Sequence, residues 1–177
     1  MVLFRSSFFQ SLISIPAISR IRRNHGLEHA TLHILTERFP HLRMAGHSDT
    51  GGFWLLGDIP LEDVQSAVME AEARLRSGEH NLAVHQNCGT NLATAGTFAG
   101  LAGGMAMFGV GSRMRDKLER LPLAVVLATV ALFFSRPIAT LLQAQVTTSG
   151  ELEDLQVRGI SESRRGRIKA YRVITQG

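Results

Sequence analysis

Residues 92–111 run for twenty positions without a charged side chain, and no other feature narrows the possible folds of this chain as much. A helix of that length covers about 30 Å, the thickness of the hydrocarbon core of a bilayer. Gly96, Gly100 and Gly104 recur within it at four-residue spacing. In water each glycine costs a helix about 1 kcal/mol relative to alanine, whereas between membrane helices a ridge of small residues permits close approach. A buried helix of a soluble protein is the competing reading, and a second uncharged segment, 121–135, weighs against it. That segment reaches spanning length only by taking in Arg136 and Pro137, with Arg136 snorkelling to the interface. The intervening SRMRDKLER at 112–120 is short enough to be a turn. Residues 92–144 are therefore expected to form a two-helix transmembrane hairpin.

Composition agrees. Only 19% of the residues are charged, against about 25% in ordinary soluble domains, and the mean hydropathy of +0.08 excludes a disordered tail. One cysteine among 177 residues excludes a disulfide-stapled scaffold. The net charge is +4, with eight basic residues before position 92, four in the connector, Arg136, and six in the tail. No RNA- or DNA-reading motif accompanies them and aromatics are sparse, so an anionic lipid surface, not nucleic acid, is the expected partner. Phe4, Phe8, Leu12 and Ile15 recur at three and four, which makes 1–19 an interfacial amphipathic segment better than a cleaved leader. Arg113, Arg115, Lys117 and Arg120 pull the connector towards the cytoplasm by the positive-inside rule. The basic residues of the preceding segment pull the other way, and the flanks are expected on the cytoplasmic side of a bacterial inner membrane.

Residues 20–91 read as an α+β motif-bearing domain. Asn24 is a candidate N-cap for a helix running through HGLEHATLHILTERF to Pro40. LRMAGHS and GFWLLGD flank turn formers and predict a hairpin. Pro60 opens a helix with Val64, Ala67, Val68, Ala71 and Leu75 on one face, closed by Gly78. LAVH at 82–85 predicts a short strand, and 154–160 with 167–174 predict two more around SESRRG. The basic tail 145–177 then joins the domain as a β-hairpin. Its Arg164, Arg165, Arg167, Lys169 and Arg172 read most simply as a solvated basic face. The expected fold is a small sandwich-like α+β domain interrupted by the membrane hairpin.

The first helix carries the chemistry. His25 and His29 stand four apart, so both rings can reach one metal ion, and Glu28 beside them is placed to take a proton from water. His-x-x-Glu-His is the order found in inverted zinc peptidases. HQNCGTN adds His85 and Cys88, either of which completes the three protein ligands that a catalytic metal wants. The plainer readings are a basic helix surface, with Glu28 a partner for Arg22 or Arg23, and a cysteine packed as a small hydrophobe. His33 extends the histidine row, and His47 and Asp49 are candidates to support the site from the hairpin.

HGLEHAT followed by HQNCGTN resembles the YqhQ-like family of uncharacterised bacterial membrane proteins, which are regarded as metal-dependent enzymes. Members carry His-Gly-x-Glu-His-Lys-Thr and, later, His-x-x-Cys-Gly-Thr before hydrophobic helices; this chain has Ala30 where the family tends to have lysine. The resemblance covers about 20 to 145. A more distant likeness is to the metallohydrolase superfamily of insulinase-type peptidases and S-ribosylhomocysteine lyase. Carried over, it implies His25, His29 and Cys88 as ligands and Glu28 as general acid/base. The expectation is a membrane-tethered metal-dependent hydrolase or lyase using one divalent metal: zinc, or iron or cobalt given the thiolate. The alternative is a non-catalytic integral membrane protein with a structural metal, assembling through Gly96, Gly100 and Gly104.

Overall fold

The computed structural model describes residues 7–166 and 168–177, with the side chains of 7–9 and 165 left aside. Phe4, Arg5 and Arg167, and the side chains of Phe8 and Arg165, therefore lie outside the described structure. The described chain divides into two compact units, residues 7–85 with 144–177 in the first and residues 86–143 in the second.

The first unit is a four-stranded antiparallel sheet covered by helices. Its elements are α1 (Ser7–Ile13), α2 (Pro16–Arg38), β1 (Ala45–Asp49), β2 (Gly52–Leu56), α3 (Leu61–Arg76), β3 (Gln156–Arg165) and β4 (Ile168–Gln176). The strand order is β1-β2-β4-β3, so the tail strands complete a sheet begun a hundred residues earlier. Side chains alternate across a strand, and the register turns that into two faces. Gly46 lies opposite Leu55, Ser48 opposite Phe53, and Phe53 and Leu55 opposite Val173 and Tyr171. Phe53, Leu55, Tyr171 and Val173 are all at most 2% exposed, packed with Leu27, Ile34 and Leu35 of α2 and Val64, Val68 and Leu75 of α3. Each such aliphatic or aromatic burial contributes about 1.5–3 kcal/mol. The opposite face carries His47, Trp54 and Arg172 in register.

Several expectations change here. Helix α2 starts at Pro16, not after Asn24, because proline suits the first turn and nothing before Phe39 breaks the helix. Asn24 is buried in mid-helix, where its amide donates to the Asp49 carbonyl at 2.8 Å and accepts from the Thr175 hydroxyl at 2.7 Å. Residues 82–85 are not a strand: His80–Ala83 forms a 3-10 turn. The first five residues of SESRRG lie inside β3 and the reversal falls at its last, Gly166, whose φ of +67° suits glycine. The tail is less solvated than expected, since Arg172 pairs with Asp49 at 2.8 Å and Lys169 with Asp58 at 3.1 Å.

The return of the chain into this unit is fixed by arginines and one glycine of α2. Arg22 donates to the carbonyls of Gln145 and Thr148, both at 3.1 Å, and Arg23 to that of Leu152 at 3.2 Å. Burial holds the Arg22 guanidinium below its ordinary pKa, partly offset by Glu153. A Cβ on Gly26 would lie 1.9 Å from the Ser149 carbonyl oxygen, so only glycine lets the returning strand of chain cross α2 there.

The second unit consists of α4 (Gly89–Ala106) and α5 (Met114–Leu142), packed against each other. Among the described residues, one helix is long and apolar enough to cross a membrane, that of Met114–Thr147, which continues α5 through a π turn. The segment expected as the first span forms α4, an 18-residue helix with several hydroxyl and amide side chains in its first half. The connector is shorter than predicted, because α5 already begins at Met114. Gly103 is the glycine that α5 approaches: a Cβ there would lie 3.9 Å from that of Ala128, whereas at Gly96, Gly100 and Gly104 it would meet nothing within 4 Å.

Candidate metal centre

Within the first unit, α2 presents His25, Glu28 and His29 on adjoining turns, and four-residue spacing brings the two rings edge to face with centroids 4.3 Å apart. Their nitrogen ligand atoms lie within 4.8 Å of one another. The Nδ1 of His29 is 2.8 Å from the Ala83 carbonyl, and that of His25 is 2.9 Å from the Thr147 carbonyl. A carbonyl only accepts, so each Nδ1 carries a proton, and Nε2 is the nitrogen left to present a lone pair to a metal. Histidines that hold metals are oriented in this way, through the nitrogen that does not ligate. His29 is 1% exposed and His25 half-buried.

Glu28 is 4% exposed and accepts a hydrogen bond from the Ser48 hydroxyl. It does not pair with Arg22 or Arg23, which are engaged with the returning chain. Gly46, two residues before Ser48 on the same face of β1, leaves room for the carboxylate: a Cβ there would lie 2.1 Å from its Oε1. His47 and Asp49 point to the other face, and Asp49 binds the Arg172 guanidinium through both oxygens at 2.8 Å. The supporting residues are thus Gly46 and Ser48. Period-two alternation was the available signal, but it could not say which parity faces α2.

His85 lies beside the pair, its ring centroid 5.7 Å from that of His29 and 4.7 Å from that of His33. Desolvation, reinforced by His33 and His29, pushes its pKa down to about 4, so it stays neutral at physiological pH. His33 in turn donates through Nε2 to the Val84 carbonyl at 2.9 Å. Four imidazoles thus line one side of α2 and the 3-10 turn. Cys88 follows His85 by three residues and opens the second unit as the N-cap of α4, its Sγ accepting from the Thr90 amide at 3.4 Å.

The chain belongs to the family described as a domain of unknown function, DUF6391, whose model matches residues 20–160 and so takes in both motifs and both apolar helices. An uncharacterized protein of the cyanobacterium Picosynechococcus sp. is 46% identical over 96 residues, covering 49% of this chain and 47% of the relative. The chain therefore matches about half the length of that relative. No solved structure matches the chain.

Proposed function

We propose that this protein is a membrane-tethered, metal-dependent hydrolase-like enzyme, with His25, His29 and Cys88 as metal ligands and Glu28 as general acid/base. The observation that carries the reading is the pair of carbonyl bonds at His25 and His29, which leave both Nε2 atoms as lone-pair donors from one helix face. Two imidazoles and a thiolate suit zinc, and also iron or cobalt. When bound, such an ion supplies Lewis acidity and makes water nucleophilic near neutral pH. Glu28 takes the proton of the attacking water and returns it to the leaving group. Ser48 holds the Glu28 carboxylate in position for both transfers. Neutral His85 is the alternative third ligand, and where Cys88 ligates it stands behind His29 as a second support.

The motif resemblance to YqhQ-like proteins, and the distant one to the peptidase and lyase superfamily, support the same assignment. The proposed setting is a bacterial inner membrane with the α+β unit on the cytoplasmic side, against anionic lipid. A second reading has one specific observation in its favour. Gly96, Gly100 and Gly104 form a ridge of α4 that meets nothing within 4 Å, as a scaffold assembling through that face with a structural metal would require.

Elemental analysis of detergent-purified protein tests both. The enzyme reading expects about one zinc, iron or cobalt per chain, lost in His29→Ala and Cys88→Ser and kept in Glu28→Gln. Loss in His85→Ala with retention in Cys88→Ser moves the third ligand to His85. Wild-type protein that neither holds metal nor takes it up refutes the metal centre. A metal whose removal, and Glu28→Gln with it, changes no reaction but disperses an oligomer favours the scaffold.

A further inference from the structure

Within the second unit, α4 and α5 flank a partly open cleft of about 720 Å³, within the size range of small-molecule sites. Its lining changes character along the helices. Asn91 in the first turn of α4 and Arg136 and Thr140 near the end of α5 are polar, while Leu92, Ala95 and Leu132 are apolar. The helices are antiparallel neighbours, so these polar groups collect towards one end of the cleft, where the Gln143 amide also donates to Asn91. Arg136 is the single charged residue of the lining, which contains no acid, and it makes no ion pair among the described residues. It interrupts an otherwise uncharged stretch, 121–135 and 137–150, of the helix able to cross a membrane and the turn beyond it. An arginine at such a place is costly unless an anion or the aqueous interface receives it.

We propose that this cleft binds the headgroup end of a phosphate-bearing amphiphile. The phosphate sits on the Arg136 guanidinium, whose planar fork matches it bidentately, and the start of the hydrocarbon chain lies against Leu92, Ala95 and Leu132. The binding does not depend on the metal reading.

The test is calorimetric titration of the full chain, chelator-treated and in a nonionic maltoside, with dihexanoyl phosphatidic acid, dihexanoyl phosphatidylcholine and inorganic phosphate. Phosphatidic acid should bind about tenfold tighter than phosphatidylcholine, the scale of a charge-assisted hydrogen bond. Arg136→Gln should lose about that factor, Arg136→Lys less, and Arg115→Gln, a charge-matched change at an exposed site outside the cleft, nothing. Ala95→Phe, which fills the apolar part, should weaken phosphatidic acid and spare inorganic phosphate. Equal binding of the two lipids, or equal effects of Arg136→Gln and Arg115→Gln, overturns the proposal. Inorganic phosphate binding as tightly as phosphatidic acid, with Ala95→Phe silent, overturns its amphiphile half and leaves a free-phosphate site. Because no metal is present in these titrations, failure of the metal centre would not change them.

Discussion

Replacing Gly46 by alanine tests whether β1 shapes the pocket of the Glu28 carboxylate. The new Cβ would lie 2.1 Å from Oε1, 2.6 Å from Cδ and 2.8 Å from Cγ of Glu28. To regain the 3.4 Å of ordinary contact the carboxylate must retreat by about 1.3 Å, and with 4% exposure it has little space to do so without leaving Ser48. Overpacking of this kind costs about 1–3 kcal/mol, outweighing the roughly 0.5–1 kcal/mol that alanine gains over glycine inside a regular element. For a chain of this size each kcal/mol lowers the melting temperature by about 2–4 °C. Thermal unfolding of wild type, Gly46→Ala, Glu28→Ala and the double variant closes a cycle. Without the Glu28 side chain the added methyl has nothing to strike, so Gly46→Ala should become neutral or mildly stabilising, with a coupling of at least about 1 kcal/mol. Equal destabilisation in both backgrounds would refute the reasoning.

Two further outcomes follow from the sheet. The hydrogen bond from Arg172, helped by the Gly51 amide and opposed by desolvation, holds the Asp49 carboxyl below its usual pKa. A depressed carboxylate stabilises the fold above its unfolded pKa and stops doing so as pH falls through the folded one. Arg172→Leu should therefore lose most at neutral pH, with the gap to wild type narrowing through the acid range in denaturation curves; a gap independent of pH would contradict this. Tyr171 is fully buried with its hydroxyl donating to the Ile59 carbonyl, so Tyr171→Phe strands that carbonyl and should cost about 1–2 kcal/mol in denaturant unfolding. A loss under about 0.5 kcal/mol would mean that the carbonyl finds another donor.

Much of the fold was legible because the relevant signals are local. The face Val64, Ala67, Val68, Ala71 and Leu75 is buried as its spacing predicts, and Asp49, Thr50, Gly51 and Gly52 do join β1 to β2. The tail strands were visible for the same reason. Where local signals competed, the reading failed. Asn24 looks like a cap because asparagine favours caps, yet its amide is bonded to groups 25 and 151 positions away, and that bonding keeps it inside the helix. Helix α4 has the length of a span, but threonine, asparagine and glycine dilute its apolarity, and among the described residues α5 with its continuation is the helix long and apolar enough to cross a membrane.

By itself the sequence determined the spacing that sets His25 beside His29, the charge-free stretch of α5 and the single cysteine three residues beyond His85. Tertiary structure decided what those residues are held by. The carbonyls of Ala83 and Thr147, 54 and 122 positions from the rings they orient, set which imidazole nitrogen keeps its lone pair. Likewise Ser48, and not His47, reaches Glu28, because packing chooses which face of β1 meets α2. Periodicity encodes that a face exists; only the register of distant segments against it determines which groups that face will find.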